Sequence, residues 1–264
     1  MNKFLALLLL LVTLSSCSEF QKALKSEDVA VKYATAEKLY EKGKYSKAIR
    51  LFEQIAPSYR GKPQAEKLFY MFSQSYYKTK QYYLSGYQFE SFSSAYPKSQ
   101  KREEAAFLGA KSYAQISPVY SLDQVDTYKA LDKLQVFIDN YPDSEYLPEA
   151  NVMVKALNEK LEKKYFEIAK QYNTISDYKA AIKALDNFIL DYPGTKYKEP
   201  ALFYKLDSAY KLAMNSIPSK KEERLNEAKT IYGSLNKATE NPDYKEKADK
   251  MLADIETELQ KFSK

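Results

Sequence analysis

Histidine and tryptophan are absent from this 264-residue chain, and cysteine occurs once, at Cys17. Without histidine there is no imidazole base, no His metal ligand and no Ser-His-Asp triad. One cysteine cannot close a disulfide within the chain or build a cysteine-based zinc site. Glycine is scarce, at six residues, and neither GxGxxG nor GxxxxGK[ST] occurs, so the common phosphate-cradling loops are excluded. Arginine is confined to Arg50, Arg60, Arg102 and Arg224. The preferred reader of phosphates and base edges is therefore sparse. Lysine and glutamate alternate along the chain instead of clustering. A formal charge of +6 spread in that way describes a solvated helical surface, and no nucleic-acid partner is expected. No carboxylate pair stands out. We assign no catalytic residue, no metal ligand and no bound cofactor, and do not expect an enzyme.

What is present begins at the amino terminus. Lys3 precedes an apolar run from Phe4 to Val12, followed by Leu14-Ser15-Ser16-Cys17. A charged start, a short apolar core and small residues before a cleavage point make a secretory signal. The run is too short to cross a bilayer, which takes ~20 apolar residues. Leu14-Ser15-Ser16-Cys17 resembles a bacterial lipobox, with Cys17 as the residue that takes a diacylglycerol and an N-acyl group. The alternative is an ordinary signal with a chance cysteine. Cleavage before Cys17 leaves 248 residues and a charge of +5, since Lys3 is the only charge removed. Acyl chains hold a protein on a membrane by about 0.8 kcal/mol per buried CH₂.

The body of the chain repeats itself. Phe89-x-x-Phe92-x-x-x-Tyr96-Pro97-x-Ser99 recurs as Leu134-x-x-Phe137-x-x-x-Tyr141-Pro142-x-Ser144 and as Leu185-x-x-Phe188-x-x-x-Tyr192-Pro193-x-Thr195. Apolar residues three and four apart share a helix face. Proline then disfavours helical geometry at the tyrosine before it and ends the helix. Small residues upstream, Ala48, Ser85 and Ala181, let helices approach closely, with Ala36, Ser73 and Ala169 in the partner helices. This spacing resembles the tetratricopeptide repeat, a helix hairpin that buries its apolar face only by stacking on neighbours. The Tyr-Pro pairs recur at intervals of 45 and 51 residues, longer than the usual ~34, so structure is inserted or lengthened. One insertion runs from Ser117 to Asp123, and another lies near Ser216 to Ser219.

The pattern predicts an all-α fold, a right-handed solenoid of about five tetratricopeptide-like hairpins with a carboxy-terminal capping helix. The expected pairs are 27–42 with 45–58, 64–79 with 81–95, 101–116 with 125–140, 149–173 with 177–191, and 199–215 with 220–238, followed by a helix over 243–262. The long helix carries Met153, Leu157, Leu161, Tyr165, Ile168 and Tyr172 along one side. The expected organisation is a signal peptide over 1–16, a lipidated tether over 17–26, amino-terminal repeats over 27–147 and carboxy-terminal repeats over 148–264 joined by the long helix. The polar stretch from Ser18 to Glu27 is expected to be extended, lifting the repeats off the bilayer.

Three stretches carry a family resemblance: Tyr33-Ala34-Thr35-Ala36-Glu37 through Gly43 to Ala48-Ile49; Tyr141-Pro142-Asp143-Ser144-Glu145-Tyr146; and Leu161 to Tyr165 through Ala169 and Tyr172 to Asp191-Tyr192-Pro193-Gly194-Thr195. With the lipobox, they resemble the BamD family, tetratricopeptide-repeat lipoproteins of the outer-membrane β-barrel assembly complex. The resemblance implies a non-enzymatic scaffold, lipid-anchored in the outer membrane and facing the periplasm. Its implied partners are the periplasmic domains of the barrel insertase and unfolded outer-membrane protein precursors. Ser18, not aspartate, follows Cys17 and agrees with an outer-membrane address.

In this repeat class the first helix of each pair lines the concave surface. That register places Tyr33, Glu37, Tyr40, Tyr70, Gln74 and Tyr77 in a peptide-binding groove. Tyrosine offers broad contact area and a hydroxyl with little rotamer freedom to lose. The competing role for these tyrosines is packing between helices. Tyr96, Tyr141 and Tyr192 are read as structural. Rival functions are another periplasmic tetratricopeptide lipoprotein, for example one coordinating cell-wall synthesis with outer-membrane constriction, and an envelope enzyme with buried carboxylates or lysines.

Overall fold

The computed structural model describes residues 19–262. Among them there are twelve helices and no strand. Helix α1 covers residues 19–25. Five hairpins follow: α2 (Val29–Glu41) with α3 (Tyr45–Tyr59), α4 (Ala65–Lys78) with α5 (Tyr82–Ala95), α6 (Arg102–Ile116) with α7 (Val125–Asn140), α8 (Leu147–Thr174) with α9 (Tyr178–Asp191), and α10 (Lys198–Met214) with α11 (Pro218–Ala238). Helix α12 (Pro242–Leu259) ends the described chain and packs on α10 and α11.

Local chemistry sets the helix ends. The Asp28 carboxylate accepts from the backbone N–H of Ala30 at 2.7 Å and opens α2. Asp177 opens α9, and Asn241 with Pro242 opens α12; each side-chain oxygen satisfies a donor that the first turn leaves unpaired. At the other end, Tyr96, Tyr141 and Tyr192 have φ of −122°, −135° and −127° with ψ between 62° and 66°. The following proline pushes each of them out of the helical region. Each still donates its N–H to the phenylalanine four residues back.

The turns inside the hairpins also repeat. Gly43, Lys80 and Ser176 take positive φ, at 69°, 60° and 65°. The next N–H reaches back five residues, Lys44 to Leu39, Gln81 to Tyr76 and Asp177 to Tyr172, at 2.8–2.9 Å. This is the Schellman closure of a helix end.

The small residues do what their spacing implied. Ala36, Ala48, Ser73, Ser85 and Ala181 have no exposed surface, and Ala169 is buried. Phe52, Phe89, Leu134 and Leu185 are fully enclosed, each three residues before the next core side chain of its hairpin.

The chain gathers into two compact units. The first runs through Pro118 and resumes over Asp123–Leu157; the second takes Val119–Leu122 and the chain from Asn158. The division falls inside α8, beyond the expected boundary at 147. In the first unit Ala150 and Leu157 pack with Phe107, Leu134 and Phe137. In the second Phe166 and Ala169 pack with Leu185, Phe188 and Ala201. The buried stripe therefore changes face along the helix, which corrects the single apolar side expected: Tyr165, Ile168 and Tyr172 are exposed. The reason lies in the repeat register. Glu162 bonds Thr195 as Glu66 bonds Ser99, 33 residues apart in both cases. On that register the second half of α8 is the ordinary first helix of its hairpin, and the turns before it are an added helix fused without a break.

The expected tether is corrected too. Residues 19–25 are helical, with Phe20 and Ala23 buried in the core of the first hairpin. Phe20, Ala23 and Leu24, spaced i, i+3, i+4, form a short apolar face that a reading by polarity passed over. Cys17 and the signal segment lie outside the described residues.

Candidate partner-binding face

Helices α2 and α4 pack side by side within the first unit. Glu37 of α2 pairs with Lys67 of α4. Tyr70 of α4 lies within electrostatic reach of Glu104 of α6. Tyr77 of α4 lies beside Lys111 of α6, whose ammonium meets Glu149 of α8 at 2.6 Å. The first helices of successive hairpins are thus laced along one face by polar side chains.

A concavity of about 470 Å³ opens on that face. Tyr40, Tyr70, Lys67 and Lys101 line it, with Glu41, Glu66, Pro63, Met71 and Phe92. The Lys101 ammonium lies 5.5 Å from the centre of the Tyr70 ring. Tyr70 meets Phe92 edge-on at 5.6 Å, and its hydroxyl accepts from Gln74 Nε2 at 2.9 Å. Burial, reinforced by Glu104 and opposed by Gln74, pushes the Tyr70 hydroxyl well above the ordinary tyrosine range. Burial also raises the Tyr40 hydroxyl, with smaller contributions from Tyr45 and Glu104. Both phenols stay protonated, and each presents a hydroxyl on an aromatic wall.

The six expected groove residues divide. Tyr40 and Tyr70 line the concavity. Glu37 reaches it only through its pair with Lys67, and Gln74 is buried behind Tyr70. Tyr33 and Tyr77 stand outside its lining. Tyr33 stacks on Tyr59 at 5.1 Å, and Tyr77 meets Tyr82 edge-on at 5.7 Å. Lys67 and Lys101 were not singled out from the sequence. Their signal is faint, because lysines occur throughout the surface and only the fold brings these two to the tyrosines.

A larger concavity, about 740 Å³, lies between α3, α4 and α5, with Phe69, Phe72, Tyr76, Phe92 and Tyr96 in its wall. The Tyr76 hydroxyl donates to Glu53 there at 2.9 Å. One hairpin later Tyr113 donates to Glu90 at 2.7 Å, and Lys133 pairs with the same carboxylate at 2.6 Å. In the second unit a concavity of about 550 Å³ between α8 and α9 is lined by Tyr165, Ile168, Tyr172 and Tyr192. Among the described residues no His, Cys, Asp or Glu cluster could hold a metal ion. No helix among them is long and apolar enough to cross a membrane.

Comparison with known proteins follows the same lines. A family model described as outer membrane lipoprotein, YfiO, matches residues 25–225. Outer membrane protein assembly factor BamD of Caulobacter vibrioides is 23% identical over 71% of this chain and 61% of its own length. The chain therefore spans about three fifths of that relative. The assembly factor BamD of Haemophilus influenzae is 23% identical over 92% of this chain and 97% of its own length. That of Rickettsia prowazekii is 24% identical over 80% of this chain and 84% of its own length. Among solved structures, a Podosopora anserina protein with nearly identical TPR-like repeats covers 82% of this chain and 98% of its own at 14% identity, with a TM-score of 0.33. A score that low supports nothing about this fold or function.

Proposed function

We propose a function from one premise: this chain belongs to the YfiO family of outer membrane lipoproteins. It is an outer-membrane protein assembly factor that works as a scaffold and carries out no catalysis. The observation that carries this reading is the family match over residues 25–225, which takes in four hairpins and most of the fifth. Its relatives are named as assembly factors, which favours assembly over coordination of cell-wall synthesis.

Cys17 is the site of lipid attachment and holds the repeats on the periplasmic side of the outer membrane. The barrel insertase is the docking partner. The concavity at Tyr40 and Tyr70 receives unfolded barrel precursors. Aromatic walls suit the aromatic side chains of their strand segments, and Lys67 and Lys101 suit a carboxylate beside such a ring. The groove contracts from the six residues read in the sequence to Tyr40 and Tyr70 with these two lysines.

The test is capture from detergent-solubilised membranes followed by mass spectrometry. Recovery of the barrel insertase is the expected result; its absence rejects the scaffold reading. For the groove, Tyr40→Ala and Lys101→Ala should each weaken binding of a barrel-derived carboxy-terminal peptide about tenfold, with helicity unchanged by circular dichroism. That figure corresponds to ~1.4 kcal/mol of lost contact. Unaltered affinity in both variants rejects the groove while leaving the docking reading standing.

A further inference from the structure

The start of α1 is a junction between hydrophobic packing and positive charge. Phe20 is 3% exposed, sunk in the core of the first hairpin. The Lys47 ammonium lies 5.4 Å from the centre of its ring and the Arg50 guanidinium 5.6 Å. One residue earlier, Glu19 pairs with Lys38 at 2.8 Å. Glu19 also feels Lys42, and these cations, the Lys38 bond foremost, hold its carboxyl below the ordinary range. Four cations from α2, α3 and the turn between them thus surround the first two described residues, with Glu19 as the carboxylate among them.

This end of α1 is also where the chain leaves for Cys17. Phe20 is three positions after Cys17. A fully extended chain covers at most about 11 Å over that distance. Because α1 is packed into the first hairpin, a lipid on Cys17 would be held within that reach of Phe20, the residue the Lys47 and Arg50 side chains face. An extended ten-residue tether would have allowed tens of Å.

We infer that Lys38, Lys42, Lys47 and Arg50 form a docking surface for the headgroups of anionic phospholipids, which seats the first hairpin against the bilayer beside its anchor. Two properties of the site argue for lipid as the occupant. The charge sign matches an anionic surface, where clustered cations add to binding in proportion to their number. The site is also continuous with the anchor, since acyl chains entering the bilayer at Cys17 bring these side chains to the headgroup layer without further movement. A single attachment combined with a basic patch is the arrangement that makes membrane association firm. The inference rests on the reading of Cys17 as the lipid-bearing residue.

The acylated mature chain is reconstituted into phosphatidylcholine vesicles, with and without 30% phosphatidylglycerol (about one lipid in three, the level set by the experimenter). Hydrogen exchange is followed over residues 19–50. The amides of α1 and of the α2–α3 turn should be protected on anionic vesicles and not on neutral ones, and high salt should remove that difference. In parallel, the mature chain carrying Cys17→Ser, which has no lipid, should float with anionic vesicles. Each of Lys38→Gln, Lys42→Gln and Arg50→Gln should lower its partition about fivefold. Should Arg50→Gln loosen α1, the salt dependence of the unsubstituted chain decides the matter alone. Equal protection on neutral vesicles, or flotation that ignores both salt and substitution, overturns the inference. So does loss of insertase capture in the same variants with vesicle binding intact, which would assign the patch to a protein. Mass spectrometry of native Cys17 tests the anchor separately, so failure of the anchor and failure of the patch are read apart.

Discussion

Thr195 donates its hydroxyl to the Glu162 carboxylate at 2.7 Å while accepting the backbone N–H of Tyr197 at 3.1 Å. Ser99 makes the same pair of bonds with Glu66 and Lys101, and Ser144 with Glu103 and Tyr146. Thr239 bonds Glu199 at the end of α11, where no Tyr-Pro precedes it. The residue two places after each proline thus starts the next turn and ties it to the first helix of the hairpin just completed.

Removing the hydroxyl should loosen one hairpin from the next. Thr195 is buried, so Thr195→Val leaves an amide and a carboxylate without this partner, at a cost of about 1–2 kcal/mol. The Ser99 bond is exposed and water can replace it, so Ser99→Ala should cost about 0.5 kcal/mol. Urea denaturation of the two variants checks the ranking.

Glu199 gives the same device a pH signature. Its carboxyl accepts from the Thr239 hydroxyl and from the backbone N–H groups of Asn241 and Glu240, which hold its pKa below the ordinary 4.5. A carboxyl lowered by folding adds stability that is fully present above its unfolded value and is lost as pH falls through the folded one. The urea midpoint should therefore fall below about pH 4.5, and Glu199→Gln should flatten that fall. An unchanged acid limb in the variant would mean that other carboxylates dominate it.

Two helical glycines should respond oppositely to alanine. A Cβ on Gly86 would stand 2.9 Å from Cζ of Tyr113, whose ring is buried and whose hydroxyl is held by Glu90. The ring cannot swing away, so Gly86→Ala should destabilise by about 1–3 kcal/mol despite its better helix propensity. Nothing lies within 4 Å of the corresponding position on Gly233, inside α11. Gly233→Ala should stabilise by about 0.5–1 kcal/mol. Thermal melting of both variants checks the signs.

Lys80 holds a left-handed conformation, φ 60°, at the turn where the first hairpin uses Gly43. Its side chain is exposed. Lys80→Gly should stabilise by about 1 kcal/mol, since glycine enters this region without the clash a Cβ brings. A lower urea midpoint in this variant would show that the unfolded chain's extra freedom outweighs the relieved strain.

The hairpins were legible because they depend on spacing. Phe137, Tyr141 and Pro142 place a core side chain, a helix end and a turn at fixed intervals, and each acts through its immediate neighbours. The helix ends accordingly fall within two residues of expectation, apart from α12, which stops at Leu259 instead of 262. The groove was half legible. A helix register could bring Tyr40 and Tyr70 to one face, but it could not tell that Tyr33 would turn to Tyr59 or Tyr77 to Tyr82. Those choices are made between helices, by whichever ring offers a facing surface.

The sequence by itself determined that the chain is helical, where its hairpins turn and which small residues let them close, because propensity, proline and apolar period act over a few neighbouring residues. Only the tertiary structure decided that α1 folds into the first core, that α8 joins two packing stripes, and that Lys67 and Lys101 share a hollow with two tyrosines. Those outcomes depend on burial and charge contributed by segments distant along the chain, and short-range pattern does not encode them.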